Sequence, residues 1–353
     1  MGCKKTPLVS IGIPIYNEGK YLAKTIDSLL SQDYGNIEII ITDNNSQDNT
    51  QEICLKYVKK DCNVRYYRNR LNIGMMRNYN LAFELSQGEY FMWAGGHDLW
   101  DVSFVRRCVD VLSSNDRIAL CYTLGKVIDL EDHPIRTLDG VDTRNLTIDE
   151  RIKFVIEQRT NVAIFGLIRS EIIHKIMPIK CDNIPGGDII LLLEFCTYGS
   201  FAFIDEPLLY IRQIREDKSE EETVARVLKM INPFREPHNL KTYTMDTVEL
   251  FLQIVEKLNL DKQQKNSLLI NTVNTLKTTL GGNILKEGKA LASEVIENFS
   301  NIKDIDLSGM REAYSSCKYI DLALIFYPES AILQKARYLL LKSVFIPVLQ
   351  KLV

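Results

Sequence analysis

Three acidic residues in this chain stand beside turn-forming residues. Asp43 follows Ile39-Ile40-Ile41-Thr42, Asp98 follows Gly95-Gly96-His97, and Asp188 follows Gly186-Gly187. A carboxylate so placed is available to a ligand and is not spent in packing. His97 and Asp98 offer an imidazole nitrogen and a carboxylate to a divalent metal, while Gly95 and Gly96 let backbone approach a ligand closely. Asp188 suits a general base toward a hydroxyl if it faces the same crevice, and equally suits the N-cap of a helix over 189–198. Asp43 taken alone fits a solvated turn; its claim rests on the company of the other two.

Residues so far apart in sequence need a scaffold that brings their loops together. From residue 8 strand and helix signals alternate: strands at 8–15, 37–41, 64–67 and 89–93, and helices at 20–30, 48–60 and 74–86, the second with Asp48 as cap. This alternation predicts a parallel sheet with helices on both faces, an α/β sandwich. In such a sheet ligands lie beyond the carboxyl ends of the strands. The loops after the first, second and fourth strands should therefore converge, bringing Tyr16, Asn17 and Glu18 to Asp43 and to His97 with Asp98. Further strands are expected at 118–124, 162–167, 201–204 and 208–211, with a helix after Asp188. Beyond the charge-rich stretch 215–222 strand signals nearly vanish, and helical patterns take over at 247–258, 263–280 and 333–353. The expected division is a domain over 1–220 and a helical appendage over 221–353, without internal repeats.

Composition removes several function classes. The 353 residues are 46% apolar and 25% charged, as in ordinary soluble proteins, and the net charge of −3 leaves no basic excess to hold nucleic acid. The eight cysteines include no Cys-x-x-Cys pair, and the four histidines show no zinc spacing, so reduced thiols in a cytoplasmic protein are expected. The first residues lack the apolar stretch of a secretory signal and no uncharged apolar run of spanning length occurs, so neither export nor a membrane span is expected. Met1-Gly2-Cys3-Lys4-Lys5-Thr6 fits the myristoylation pattern. The basic, leucine-rich segment 333–353, divided by Pro347, is compatible with peripheral contact at a membrane surface, and equally with packing or homo-oligomerisation. Neither a Walker-type loop nor Gly-x-Gly-x-x-Gly is present, which disfavours ATPases and dinucleotide-dependent oxidoreductases.

The blocks Val9-Ser10-Ile11-Gly12-Ile13-Pro14-Ile15-Tyr16-Asn17-Glu18, Ile39-Ile40-Ile41-Thr42-Asp43-Asn44-Asn45-Ser46-Gln47-Asp48-Asn49-Thr50, Asn72-Ile73-Gly74 and Gly88-Glu89-Tyr90 follow one another in the order seen in the family 2 inverting glycosyltransferases of GT-A fold, which this chain resembles. Gly166-Leu167-Ile168-Arg169, Gly186-Gly187-Asp188 and Asp205-Glu206-Pro207-Leu208-Leu209-Tyr210 extend the resemblance to about residue 215. It implies a Rossmann-like α/β/α sandwich, with the helical tail unaccounted for. It implies that Pro14, Tyr16, Glu18 and Gly96 line the nucleotide site, that Asp43 accepts a hydrogen bond from the base, commonly uracil, and that Asp188 is the general base of an in-line displacement.

Arg77 falls where it would assist at the phosphates or stand as an exposed helix arginine. A divalent Mn²⁺ or Mg²⁺ is implied as cofactor. Here, though, His97 stands where a metal-binding aspartate is expected beside Asp98, and Arg215 stands where a histidine often follows the last strand, adding a cation for the diphosphate. The implied partners are a nucleotide-sugar donor, UDP-linked first, and a glycan or lipid-linked acceptor, as in surface polysaccharide or glycan biosynthesis. The rival reading keeps the fold as a nucleotide-sugar or glycan binding protein without turnover. A nucleotidyltransferase would want a glycine- and lysine-rich phosphate loop where this chain has Pro14-Ile15-Tyr16-Asn17-Glu18.

Overall fold

The apolar run near the N-terminus forms β1 (Val9–Ile15), whose residues are buried except for half-buried Pro14, as expected of a parallel strand covered on both faces. The structure is a computed structural model that describes residues 6–158, 161–178, 187–214, 230, 243–258, 260–299 and 307–341. β1 pairs in parallel with β2 (Ile37–Asp43) on one side and with β4 (Tyr90–Trp93) on the other, and β2 pairs in parallel with β3 (Val64–Arg68). Between these strands run α1 (Leu22–Leu30), α2 (Thr50–Lys60) and α3 (Met75–Glu84). α3 lies close upon β1 at Gly12, where a Cβ would meet the Phe91 ring at 2.6 Å and the Ala82 Cβ at 3.1 Å.

The sheet continues through β5 (Leu99–Trp100), β6 (Ile118–Ile128), β7 (Pro134–Leu138), β8 (Leu167–Arg169) and β9 (Ser200–Arg212). The spatial order is β3-β2-β1-β4-β8-β6-β9-β5, with β7 paired to β6. It is a mixed sheet, not the all-parallel one that the alternation suggests. β8 runs antiparallel to both β4 and β6, and β5 antiparallel to β9, whereas β6 and β9 are parallel. The strand expected at 162–167 is also displaced. Its first part, Asn161–Phe165, is a 3₁₀ turn, and the strand begins only at Leu167. An apolar run does not by itself distinguish a strand from a buried turn of helix.

Four more helices complete this part of the chain: α4 (Phe104–Ser114), α5 (Ile148–Gln158), α6 (Ser170–Ile176) and α7 (Gly187–Tyr198). α4 shows why they form. Phe104, Val105, Cys108, Val109 and Leu112 recur at helical spacing, are buried, and pack on β6, β8 and β9.

The chain divides into two compact units, 1–237 and 238–353. The second holds α8 (Tyr243–Lys257), α9 (Lys262–Phe299), α10 (Leu307–Phe326) and α11 (Ala331–Leu340), which bury Val248, Phe251, Leu276, Ile284, Ile320, Phe326 and Leu333. α9 runs nineteen residues beyond the helical pattern that ends at 280. α10 falls inside the region expected to be helical, outside the three segments named for it. Among the described residues no helix is long and apolar enough to cross a membrane, and 342–353, with Pro347, lies outside them.

Arg169, at the end of β8, is 7% exposed. Its Nε donates to the Ile118 carbonyl at 2.8 Å, and its Nη2 to those of Leu112 and Asn115 at 2.6 and 3.1 Å. It thereby caps the C-terminal end of α4. Arg169→Leu removes a charged donor from three carbonyls, of which those of Leu112 and Asn115 keep backbone donors at 3.4 and 3.1 Å, so the denaturant midpoint is expected to fall by the equivalent of about 2 kcal/mol; a loss under about 0.5 kcal/mol would show that the arginine does not support this end of α4.

Candidate active site

β1, β2 and β4 end at the same edge of the sheet, and the loops that follow are stitched to one another by short polar side chains. After β1, Asn17 adopts φ 58°, a left-handed conformation that asparagine tolerates. Its amide donates to Ser46 Oγ at 2.9 Å, while its side-chain oxygen accepts from the Gln47 amide at 2.8 Å. The next two amides donate to the Thr50 hydroxyl and to the Asp48 carboxylate, both at 3.0 Å. The first and second loops therefore form one unit. Tyr16 leaves it 45% exposed at the mouth.

Asp43 is fully buried at the end of β2. Its Oδ1 accepts from the Ser46 amide at 2.8 Å and the Ser46 hydroxyl at 2.6 Å, and its Oδ2 from the Tyr66 hydroxyl at 2.6 Å. Arg68 Nε stands 3.9 Å away, while its Nη2 donates to the Ser46 carbonyl and to Asn45 Oδ1. The carboxylate is thus the fastening of its own loop and not a solvated turn. Beside it Asn44, Asn69, Asn72 and Asn78 form an amide network, with Asn44 Nδ2 donating to Asn72 Oδ1 at 2.6 Å and Asn69 Nδ2 to Asn78 Oδ1 at 3.0 Å. That network leads the chain through Gly74, at φ 87°, into α3, whose first turn carries exposed Arg77.

The loop after β4 brings in the remaining donors. His97 Nδ1 lies 3.1 Å from Glu18 Oε2, and His97 Nε2 lies 4.0 Å from Asp98 Oδ1. Burial alone would lower the histidine's pKa, but the Glu18 hydrogen bond and the charges of Asp98 and Glu18 outweigh it, and the net shift is upward. Asp98 is 1% exposed, and its pKa is pushed up by burial against the opposing effects of His97 and the Arg212 amide. Gly95 and Gly96 have reasons of their own. A Cβ at 95 would meet Asp98 Oδ2 at 2.5 Å, and one at 96 would meet Glu18 Cγ and Ile15 Cγ2 at 2.8 Å.

Asp188 opens α7, and its Oδ1 accepts from the Ile189 amide at 2.9 Å. Burial raises its pKa, only partly offset by backbone amides. Its place relative to the other groups is read from Tyr79, a half-buried residue of α3. The Tyr79 proton is held by burial and then by the negative charges of Asp98, Asp188 and Glu18. Carboxylates from three separate segments thus lie near enough for their charges to act on one phenol.

Of the residues expected from sequence, Glu18, Gly96, His97, Asp98 and Asp188 share this neighbourhood. Pro14 and Tyr16 sit on its β1 side, Asp43 lies beneath the second loop, and Arg77 stands at the start of α3. Arg215 lies outside the described residues. Sequence reading missed Tyr79, Tyr66 and Arg212. Tyr79 belongs to the inward stripe of α3 with Met76 and Phe83, a spacing ordinarily read as core.

The His97–Asp98 pair suits a divalent cation in one specific respect. A histidine whose Nδ1 is fixed by a carboxylate presents Nε2 outward, the usual arrangement behind a metal-ligating imidazole. Asp98 Oδ1 faces that nitrogen. Among the described residues no set of three His, Cys, Asp or Glu side chains surrounds a common point, so a cation would draw its other ligands from water and a diphosphate, as Mg²⁺ does in phosphate sites.

Residues 10–176 match the family described as glycosyl transferase family 2. An uncharacterized glycosyltransferase of Rickettsia typhi is 35% identical over 206 residues, 58% of this chain and 56% of its own length. Glycosyltransferase GlyG of Streptococcus pneumoniae is 37% identical over 92 residues, 26% of this chain and 31% of its own. The chain thus spans a little over half the length of the first of these relatives. Among solved structures, residues 1–349 of S. aureus TarS in complex with UDP-GlcNAc superpose with a TM-score of 0.60 at 14% identity, covering 94% of this chain and 90% of that one. At that identity the likeness shows the fold, a GT-A sandwich followed by helices.

Asp43 carries three donors in a dry site, so Asp43→Asn, which turns one acceptor oxygen into a donor, is expected to cost the protein without ligand roughly 2–4 kcal/mol in a denaturant titration. A residue serving only a nucleotide base would leave that stability unchanged.

Proposed function

We propose that this chain, whose residues 10–176 match the family described as glycosyl transferase family 2, moves a sugar from a nucleoside-diphosphate donor, UDP-linked, to an acceptor hydroxyl with inversion at the anomeric carbon. The observation that supports this reading is the Glu18–His97 contact beside Asp98, with Asp188 near enough that its charge, like those of Asp98 and Glu18, acts on Tyr79. The complexes of TarS with UDP-GlcNAc and with UDP support a uridine donor. Exposed Tyr16 and half-buried Pro14 offer apolar surface to the base and ribose. The Asp43 loop fixes the wall behind them.

Asp188 removes the proton from the acceptor hydroxyl as that oxygen attacks the anomeric carbon, and the C–O bond to the diphosphate breaks in the same step. Burial suits Asp188 to this task, since a carboxyl with a raised pKa is a stronger base than an exposed one. His97 and Asp98 would hold the divalent cation, which supplies positive charge for the leaving diphosphate. Glu18 keeps the imidazole turned so that Nε2 faces that site. Arg77, on the first turn of α3, is proposed to meet the phosphates from the other side. The acceptor is proposed to be a glycan or a lipid-linked sugar of surface polysaccharide synthesis.

Calorimetric titration with UDP and with GDP, each with and without Mn²⁺, tests the donor reading. UDP is expected to bind in the presence of Mn²⁺ and to lose at least about ten-fold in affinity in His97→Ala. Binding of UDP without any turnover on acceptors would favour the non-catalytic binding protein. Asp188→Asn is expected to lower turnover by roughly 10²–10⁴-fold while leaving UDP affinity within a few-fold. In the unaltered protein kcat/KM should fall as pH falls through a pKa above that of an ordinary aspartate, because the base works only when deprotonated. An unchanged rate in Asp188→Asn would remove it from the mechanism.

A further inference from the structure

Arg212, the last residue of β9, is a charged side chain with no exposed surface, far in sequence from everything it touches. Its Nε donates to the His97 carbonyl at 3.0 Å, its Nη1 to the Asp129 carbonyl at 2.8 Å, and its backbone amide to Asp98 Oδ1 at 2.9 Å. Its guanidinium lies over the Tyr21 ring, 4.4 Å from the centroid. Nη2 is in ion-pair contact with Asp132 Oδ1. Both atoms are sealed from solvent. The other Asp132 oxygen accepts from Lys24 at 2.6 Å, and Asp132 itself is held at φ 75°, unusual for a residue with a side chain. The Asp98 carbonyl accepts from Thr25 at 2.8 Å. One arginine therefore ties the loop after β4 to the start of α1 and to the turn between β6 and β7.

Sheet register explains why the arginine belongs there. Leu99 pairs with Tyr210 and Trp100 with Leu209 in antiparallel fashion, so continuing the ladder sets His97 opposite Arg212. Stability alone is a weak reason for such a group, since apolar residues commonly replace buried ion pairs at little or no cost. What an apolar residue cannot do is hold the His97 and Asp129 carbonyls in a fixed relation to each other, which the two donors of a planar guanidinium do.

We propose that Arg212, anchored by Asp132, is a positioning residue that holds the His97–Asp98 loop in the geometry that receives the diphosphate and its cation. This rests on the donor reading given above. Lysine at 212 keeps a charge for Asp132 but cannot also reach the carbonyls of His97 and Asp129, so the loop is released while the ion pair survives.

The test measures three variants of the full chain, Arg212→Lys, Asp132→Asn and Arg169→Lys, for melting temperature, Mn²⁺ affinity, UDP affinity in saturating Mn²⁺, and kcat and KM. Arg169 supplies a similarly buried arginine remote from the site. Arg212→Lys is expected to weaken both Mn²⁺ and UDP binding by roughly 10–100-fold, and Asp132→Asn by a smaller factor in the same direction. Arg169→Lys should lower the melting temperature and leave both affinities unchanged. Unaltered Mn²⁺ and UDP affinities in folded Arg212→Lys would overturn the proposal, as would equal losses in Arg169→Lys. Should Arg212→Lys fail to fold, Asp132→Asn decides, and unchanged affinities there overturn it. Absence of UDP binding by the unaltered protein would instead strike the donor reading.

Discussion

A carboxylate without solvent contact must find its donors inside the protein, and Asp43 at the end of β2 finds them in Ser46 and Tyr66. Much of the site depends on that requirement. Ser46 is drawn to Asp43, so its hydroxyl oxygen is placed to accept from the Asn17 amide. Asn17 and Glu18 are then held against the second loop. Glu18 in that position meets His97, which follows β4. A hydrogen-bonded path runs from the middle of the sheet, through two loops, to the imidazole beside Asp98.

The loops themselves are irregular, and irregular backbone near a core leaves polar groups that need partners. This chain supplies them with asparagine side chains. Asn44, Asn69, Asn72 and Asn78 satisfy one another and the amides of Ile73 and Gly74, and Asn78 donates to the Thr42 carbonyl. Neutral amides do this without adding charge to a crevice that already holds Glu18, Asp98 and Asp188. The electrostatic consequence bears on the proposed chemistry. A diphosphate entering beside three carboxylates is repelled unless positive charge arrives with it, which is the part that a divalent cation held at His97 and Asp98 would play.

Sequence made some of this architecture legible and concealed the rest for identifiable reasons. β1, β2 and β4 are covered on both faces, so they are written as nearly unbroken apolar runs. The strand-to-loop boundaries at Asp43 and His97 follow from them, and the gathering of Glu18, His97 and Asp98 follows from the parallel pairing of those strands. β9 was harder. Asp205-Glu206-Pro207 looks like a break between two strands, yet the strand is continuous from Ser200 to Arg212 and absorbs those residues in register shifts against β6. A proline is tolerated at such an irregularity. Arg212 has no local signal at all, because the groups it serves lie more than eighty residues upstream, and only sheet register brings them opposite. β7, exposed nearly throughout, carries none of the burial that makes a strand readable.

The loop after β4 departs from the acidic metal motif of the family it resembles, and the structure gives that departure a single physical origin. Asp98 is turned inward, with one oxygen against the backbone of β9 and the other beneath Gly95, so close that no side chain fits at that position. Glu18 fills the space in front of Gly96 in the same way. An acid at 95 and an inward Asp98 are therefore mutually exclusive. With Glu18 fixing Nδ1, His97 presents Nε2 toward Asp98 Oδ1, 4.0 Å away. The two glycines are not gaps in a motif. They are the room that lets Asp98 and Glu18 hold the histidine between them.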